Sequence, residues 1–167
     1  KYFIENFQQA KFLILSFQTN EGIKLALIDK NNVSCEEQII TSGLTVSQIA
    51  FKELHIHEEC ILHIDSPLEL INEIDLSQKL IRSMFIEGVS KRMMEMTAKY
   101  TAERKQFDRP IATFQAVSHR ASSMFIDHEC LSLVNQQALF SLINNKPEKE
   151  NHVLAAKAWS ADVSHRS

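Results

Sequence analysis

The residues best suited to chemistry lie between Tyr100 and Gln115. This stretch reads Tyr-Thr-Ala-Glu-Arg-Lys-Gln-Phe-Asp-Arg-Pro-Ile-Ala-Thr-Phe-Gln, and it gathers Arg104, Gln106 and Phe107 at a predicted break between two helices. A guanidinium group suits a phosphate, and the backbone N–H groups at a helix N-terminus favour anions. The stretch therefore predicts a helical corner that holds a phosphate-bearing ligand. The alternative is that Arg104 faces solvent or caps a helix end.

Composition limits the class of protein. The chain has 167 residues, 44% of them hydrophobic, with a formal net charge of -3 and a pI near 6.2. This length allows one core or two unequal pieces. The charge argues against a nucleic-acid partner, which requires a basic face. No apolar segment reaches the length of a membrane span, so we expect a cytoplasmic protein without a membrane partner.

The cysteines and the two chain ends carry further expectations. Cys35, Cys60 and Cys130 are odd in number and widely spaced, which predicts free thiols in a reducing compartment. Lys1 falls within a strand-like pattern and Ser167 within a helical one. We therefore expect an internal piece of a larger protein.

Two periodicities divide the chain at Pro67. Before it, short alternating runs predict strands at 11–18, 23–29, 33–41 and 49–57, arranged as an antiparallel meander with a turn at Ser42-Gly43. After it, apolar residues recur at helical spacing. The sequence therefore predicts an α+β fold, in which a partial antiparallel β-barrel or sandwich at 1–67 precedes an antiparallel helical bundle at 68–167.

Three helices are predicted in the second part. The first covers 69–107 and contains Gly88, which predicts a tight helix crossing at that point. The second has a strict three-four spacing from Phe114 to Leu142, and the third begins near Glu148. His128 and Asn135 fall on the seam of the second helix. They form either a hydrogen-bonded network at a subunit or cofactor interface, or a pair of satisfied polar residues that fix helix register.

A metal site is the weaker interpretation of a histidine-rich segment. His55 and His57 fall on one face of a predicted strand, with Cys60 and His63 nearby. No paired Cys-x-x-Cys supports these ligands, and surface histidines at the rim of a barrel are the simpler interpretation. We therefore predict no bound metal.

A longer string around the corner resembles a known family signature. Tyr-x-x-x-Arg-x-Gln-Phe-x-x-Pro-Ile-x-x-Phe-Gln-Ala-Val-x-His, followed by Met124, is similar to the acyl-CoA dehydrogenase signature. The resemblance implies the second part of that family's middle β domain and three of the four helices of its C-terminal bundle. It also implies FAD as the cofactor, bound across a subunit interface. The implied cofactor-binding residues are Arg104, Gln106, Phe107, Ile111, Phe114, Gln115 and, beside the flavin ring, Phe3.

The implied reaction is α,β-dehydrogenation of an acyl-CoA thioester, within fatty acid metabolism. A carboxylate removes the α proton while the β hydrogen leaves as hydride. That base is expected beyond Ser167, so no catalytic residue is assigned in this chain. Some members carry the base where Gln78 stands, and the neighbouring Glu73 and Asp75 are unproven substitutes. The implied partners are the acyl-CoA substrate, electron-transfer flavoprotein as electron acceptor, and further subunits in a homodimer or homotetramer, with a hetero-oligomer also possible.

Three positions depart from the family pattern. Glu5 stands where a Ser or Thr hydroxyl normally hydrogen-bonds flavin N5, and an ionised carboxylate cannot donate. Asp108 replaces the Gly of Gln-Phe-Gly, and Ser123 replaces an Asp. These departures support a second hypothesis, a degenerate subunit without catalytic activity that assembles with an active partner. A third hypothesis, a helical interaction domain unrelated to flavin, conflicts with the motif.

Overall fold

The computed structural model describes residues 4–41, 43–51 and 53–166. The chain divides into two compact units, Lys1–Ile71 and Asn72–Ser167. The first consists mainly of strands and the second mainly of helices. Within the part of the chain that the structure describes, no helix is long and apolar enough to cross a membrane. The predicted domain boundary after residue 67 stays a prediction.

The described residues of the first unit form two three-stranded antiparallel sheets. One has the order β1-β5-β4 and the other the order β2-β3-β6. The strands are β1 Ile4–Glu5, β2 Phe12–Thr19, β3 Gly22–Asp29, β4 Ser34–Ile39, β5 Thr45–Ala50 and β6 Ile61–Leu62. The predicted single meander is therefore wrong, because β3 and β4 follow one another in the chain but belong to different sheets.

The β2–β3 hairpin confirms the predicted pairing of the first two strands. Its register runs from Phe12 opposite Asp29 to Thr19 opposite Gly22. Gly22 has a φ of +125°, which glycine tolerates without strain, and the Thr19 hydroxyl donates to its carbonyl at 2.8 Å. Beside this turn the ammonium group of Lys24 hydrogen-bonds the Glu21 carboxylate and lowers the pKa of that carboxyl group.

The predicted strand at 49–57 is wrong in its limits. The chain returns in a tight loop, in which Ile40 N–H donates to Leu44 O at 3.0 Å and Gly43 N–H donates to Ile40 O at 2.8 Å. Pairing with β4 therefore begins at Thr45 and ends at Ala50, opposite Ser34. Residues 54–57 lie outside any strand.

The second unit contains three helices, α1 Pro67–Glu103, α2 Gln115–Ile143 and α3 Lys149–Arg166, of which α1 begins in the first unit. The predicted seam of α2 is confirmed, since its buried residues recur three or four positions apart: His128, Leu131, Asn135, Ala138 and Ser141. A core cluster joins the three helices through Leu76, Leu80, Ala138, Val153 and Ala156. Burial of this apolar stripe holds the bundle together.

The tight crossing predicted at Gly88 is wrong for the described chain. Gly88 is exposed, and a Cβ atom added there would meet no other group within 4 Å. It stands on an outer surface of α1 together with exposed Phe85 and Val89. Packing within this chain therefore does not explain the glycine.

Candidate functional site

A short β-hairpin joins α1 to α2, where the sequence predicted helix up to Phe107. Its strands are β7 Lys105–Gln106 and β8 Arg109–Pro110, with Lys105 opposite Pro110 and Gln106 opposite Arg109. The N–H of Ile111 donates to the carbonyl of Arg104 at 2.8 Å, which continues the same register by one residue pair. Helix α1 therefore ends at Glu103.

Two residues with positive φ make the turn of this hairpin. Phe107 has a φ of +51° and Asp108 a φ of +59°. Left-handed backbone at both central positions is typical of the type I′ turn that suits a two-residue hairpin. Asp108 thus has the positive φ that favours glycine, the residue that the family signature has at this position. A bulky side chain at positive φ is rarer, and each non-glycine residue there costs about 1 kcal/mol. Pro110 was the available signal, because proline disfavours helix at the preceding residue.

Strand alternation sorts the hairpin residues between two faces. Residues directly opposite each other in an antiparallel pair project to the same side, and side chains alternate along each strand. The register therefore assigns Arg104, Gln106, Arg109 and Ile111 to one face, which we call the hairpin face. Lys105 and its partner proline belong to the other face. Three of the predicted cofactor-binding residues thus share one surface.

The aromatic residues pack beside this surface. Phe107 is 88% exposed, and its ring meets that of Phe114 edge-on, with 6.2 Å between the centroids and 77° between the planes. The central guanidinium carbon of Arg109 lies 4.2 Å from the Phe114 centroid. This distance is well within the range of a cation–π contact. Sequence reasoning missed Arg109, which stands at an unspecified position of the family string.

Backbone donors at the start of α2 are partly used. The N–H groups of Val117 and Ser118 both donate to the carbonyl of Phe114 at 3.0 Å. The predicted anion site at a helix terminus therefore depends on side chains more than on these two amides. Gln115 is the first residue of α2, with its Nε2 3.4 Å from His119 Nε2. Phe3 lies outside the described residues.

The carboxylates considered as a base have cationic partners. Glu73 accepts a hydrogen bond from Lys149, and Asp75 accepts one from Lys79. Gln78 is exposed on α1. These contacts assign ion-pair roles to both carboxylates, so neither is an evident catalytic base.

The two polar seam residues singled out in the sequence, His128 and Asn135, have different surroundings. Asn135 Oδ1 lies 2.6 Å from the Ser83 hydroxyl, and Asn135 Nδ2 donates to a Glu87 carboxylate oxygen at 2.7 Å. The Ser83 hydroxyl also reaches the Ala156 carbonyl at 3.0 Å, so this network connects all three helices. That arrangement fits the register interpretation for Asn135. His128 is buried, and its Nδ1 has no hydrogen-bond partner among the described residues.

A cleft of about 800 Å³ is lined by residues of all three helices, Ser123 among them. Arg166 and Asp127 also line this cleft and form an ion pair at 3.2 Å. The guanidinium of Arg166 lies 5.3 Å from the centroid of the Trp159 ring. Arg166 therefore ties the end of α3 to α2.

The histidine-rich segment does not form the predicted strand face. His55, His57 and His63 are exposed and outside any strand, and the three cysteines are free. Among the described residues, no group of three or more His, Cys, Asp or Glu side chains is arranged to hold a metal ion.

The family model for the C-terminal domain of acyl-CoA dehydrogenases matches residues 79–167. The chain therefore belongs to the acyl-CoA dehydrogenase family, and the resemblance found in the motif is confirmed. It is 37% identical over 94 residues to acyl-CoA dehydrogenase FadE27 of Mycobacterium tuberculosis (strain ATCC 25618 / H37Rv), a match covering 52% of this chain and 25% of FadE27.

Solved structures confirm the fold class. The ChsE4-ChsE5 complex from Mycobacterium tuberculosis has a TM-score of 0.87 and 24% identity over 99% of this chain and 45% of that chain. The FAD complex of PigA has a TM-score of 0.87 and 22% identity over 97% of this chain and 45% of that chain. This chain thus spans under half the length of each of these three proteins.

Proposed function

We propose that this chain is part of an FAD-dependent acyl-CoA dehydrogenase, an oxidoreductase that introduces an α,β double bond into an acyl-CoA thioester. The observation that carries the proposal is the hairpin face, which presents Arg104 and Gln106 together in a chain of this family. The PigA structure, which has the same fold, is a complex with FAD. We therefore take FAD as the cofactor of this protein.

The chemistry of the hairpin residues fits FAD. A diphosphate requires cations, and the exposed Arg104 supplies a guanidinium with a planar set of donors. The Gln106 amide can bond polar edges, and exposed Phe107 offers an apolar surface to a ring. In this proposal Ile111, Phe114 and Gln115 complete the site, and Phe3 is the residue beside the flavin ring.

FAD, when bound, supplies the redox chemistry by accepting the β hydrogen of the substrate as hydride. The residues of this chain bind and orient the cofactor. The α proton is removed by a carboxylate elsewhere in the protein, since Glu73 and Asp75 are engaged with lysines. We further propose a cytoplasmic enzyme of fatty acid metabolism that works as a homodimer or homotetramer and passes electrons to electron-transfer flavoprotein.

The test uses the purified full-length protein. It should be yellow, and its flavin absorption should bleach when the acyl-CoA substrate is added without an electron acceptor. Arg104→Ala should lose flavin while its circular dichroism spectrum stays that of the unmodified protein. Unchanged flavin content in this variant would contradict the assignment of Arg104. A protein that never retains flavin would contradict the cofactor itself.

A second candidate is a subunit without catalytic activity that assembles with an active, homologous flavoprotein. One observation favours it: ChsE4-ChsE5, which has this fold, is a complex of two different chains. The departures from the family pattern at Glu5, Asp108 and Ser123 agree with a site that no longer has to support catalysis. Co-expression distinguishes the candidates, because a colourless chain that co-purifies with a flavin-bearing homologue supports the second and a yellow homo-oligomer supports the first.

A further inference from the structure

We infer that Arg109 binds the diphosphate of an adenosine diphosphate group, and that Phe114 holds its guanidinium in position for this task. The inference rests on the proposed function and adds a residue to its site. An adenosine diphosphate group occurs in both FAD and coenzyme A, so the ligand class is defined by that shared chemistry. The two sources are separated by experiment.

The hairpin register is the first support. Arg109 stands directly opposite Gln106, and such cross-strand neighbours have Cβ atoms about 5 Å apart on the same side of the ladder. The next residue pair on this face is Arg104 and Ile111, in which the Arg104 carbonyl accepts a hydrogen bond from the Ile111 N–H. The hairpin face therefore carries two guanidinium groups. A diphosphate has two phosphoryl groups, and each can accept a planar pair of hydrogen bonds.

The contact with Phe114 is the second support. A guanidinium 4.2 Å above an aromatic ring is held by cation–π attraction, which reduces the freedom of a long side chain before any ligand arrives. Arg109 also covers one face of the Phe114 ring, and Phe107 approaches it in an edge-on contact. Phe114 is thus a positioning residue for Arg109. The exposed ring of Phe107 is left as the apolar surface for the adenine.

Lys105 provides a matched control on the same hairpin. It carries the same charge, is exposed like Arg109, and lies four residues away. Its pairing with Pro110 assigns it to the opposite face. A general loss of positive charge would therefore affect Lys105→Gln and Arg109→Gln equally. Loss of a specific contact between Arg109 and the ligand would affect only Arg109→Gln.

The experiment measures dissociation constants on the full-length protein at 50 and 200 mM salt. FAD binding to the apoprotein and CoA binding to the flavin-loaded protein are titrated separately. Arg109→Gln should raise the dissociation constant of one of these ligands about tenfold and reduce the salt dependence of its binding, as expected for loss of one charged hydrogen bond. Lys105→Gln should change either affinity less than twofold. Weaker FAD binding identifies the FAD diphosphate, and weaker CoA binding identifies that of CoA.

Two further variants test the role of Phe114. Arg109→Lys keeps the charge and should retain most of the salt dependence. Phe114→Leu should weaken binding of the same ligand. The double variant Arg109→Gln/Phe114→Leu should bind that ligand no more weakly than Arg109→Gln alone, because both changes remove the same contact of Arg109 with the ligand. Circular dichroism verifies that each variant is folded.

Two results would overturn the inference: equal effects of Arg109→Gln and Lys105→Gln, or unchanged affinity of Arg109→Gln for both ligands. In either case flavin bound by the unmodified protein leaves the proposed function standing. An unmodified protein that binds neither FAD nor CoA overturns both.

Discussion

Replacing Asn135 by alanine should lower the free energy of unfolding by about 2–3 kcal/mol. Asn135 is 1% exposed and makes two side-chain hydrogen bonds across the bundle. Its bond to the Glu87 carboxylate is charge-assisted and contributes about 1.5–3 kcal/mol, while its bond to the Ser83 hydroxyl contributes about 1 kcal/mol. The two contributions sum to about 2.5–4 kcal/mol. The expected loss lies at or just below the lower end of this range, because Ser83 can still donate to the Ala156 carbonyl and Glu87 is only partly buried.

Urea unfolding of the full-length apoprotein, followed by circular dichroism at one protein concentration, measures this change. Gln136→Ala is the matched control, since it removes an exposed amide from the adjacent position of the same helix. It should change stability by less than about 0.5 kcal/mol. In a double-mutant cycle, Ser83→Ala and Asn135→Ala should show a coupling energy of about 1 kcal/mol.

The register interpretation predicts lost stability above all. An Asn135→Ala protein within about 0.5 kcal/mol of the unmodified protein would refute the reasoning from these contacts. If stability were unchanged while flavin content or subunit assembly fell, the alternative of a polar network at a subunit or cofactor interface would hold instead.

Three other substitutions test separate features. Asp108→Gly should raise the free energy of unfolding by up to about 1 kcal/mol in urea, because glycine adopts positive φ without strain; a decrease would contradict the turn geometry. Gly88→Ala should raise it by about 1 kcal/mol, since a methyl group fits the open space there. Destabilisation or lost assembly, measured by urea unfolding and gel filtration, would show that another subunit packs on that surface. Arg166→Ala should lower stability by about 1 kcal/mol through loss of the Asp127 and Trp159 contacts, less at high salt; an effect independent of salt would count against the ion pair.

Local periodicity was sufficient for the largest elements. The seam of α2 could be predicted because a buried helical stripe repeats within one continuous stretch. The β2–β3 hairpin was predictable because Gly22 and the flanking alternation lie within a few residues of each other. In both cases the information that determines the structure is adjacent in sequence.

The sequence predicted less well those elements whose limits depend on contacts with residues distant in sequence. The limits of β5 depend on its register with β4, which begins at Ser34, eleven residues before Thr45. The local alternation at 49–57 does not show that register. The surroundings of Gly88 also depend on distant parts of the chain. The α1 pattern alone does not show that no other helix of the described chain approaches this glycine. Arg109 was not predicted as a site residue because its proposed role depends on its position opposite Gln106 in the hairpin.

The point at which α1 ends decides whether the candidate site can exist. On a continuing helix, Arg104 and Gln106 would project about 200° apart around the axis, and so to nearly opposite sides. On a strand, the same two residues project to one side, and the residue opposite Gln106 joins them. The left-handed turn at Phe107 and Asp108 brings Arg109 into that position. The helical pattern alone thus gave these candidate residues the wrong geometry, and four residues of β-structure bring them to one face.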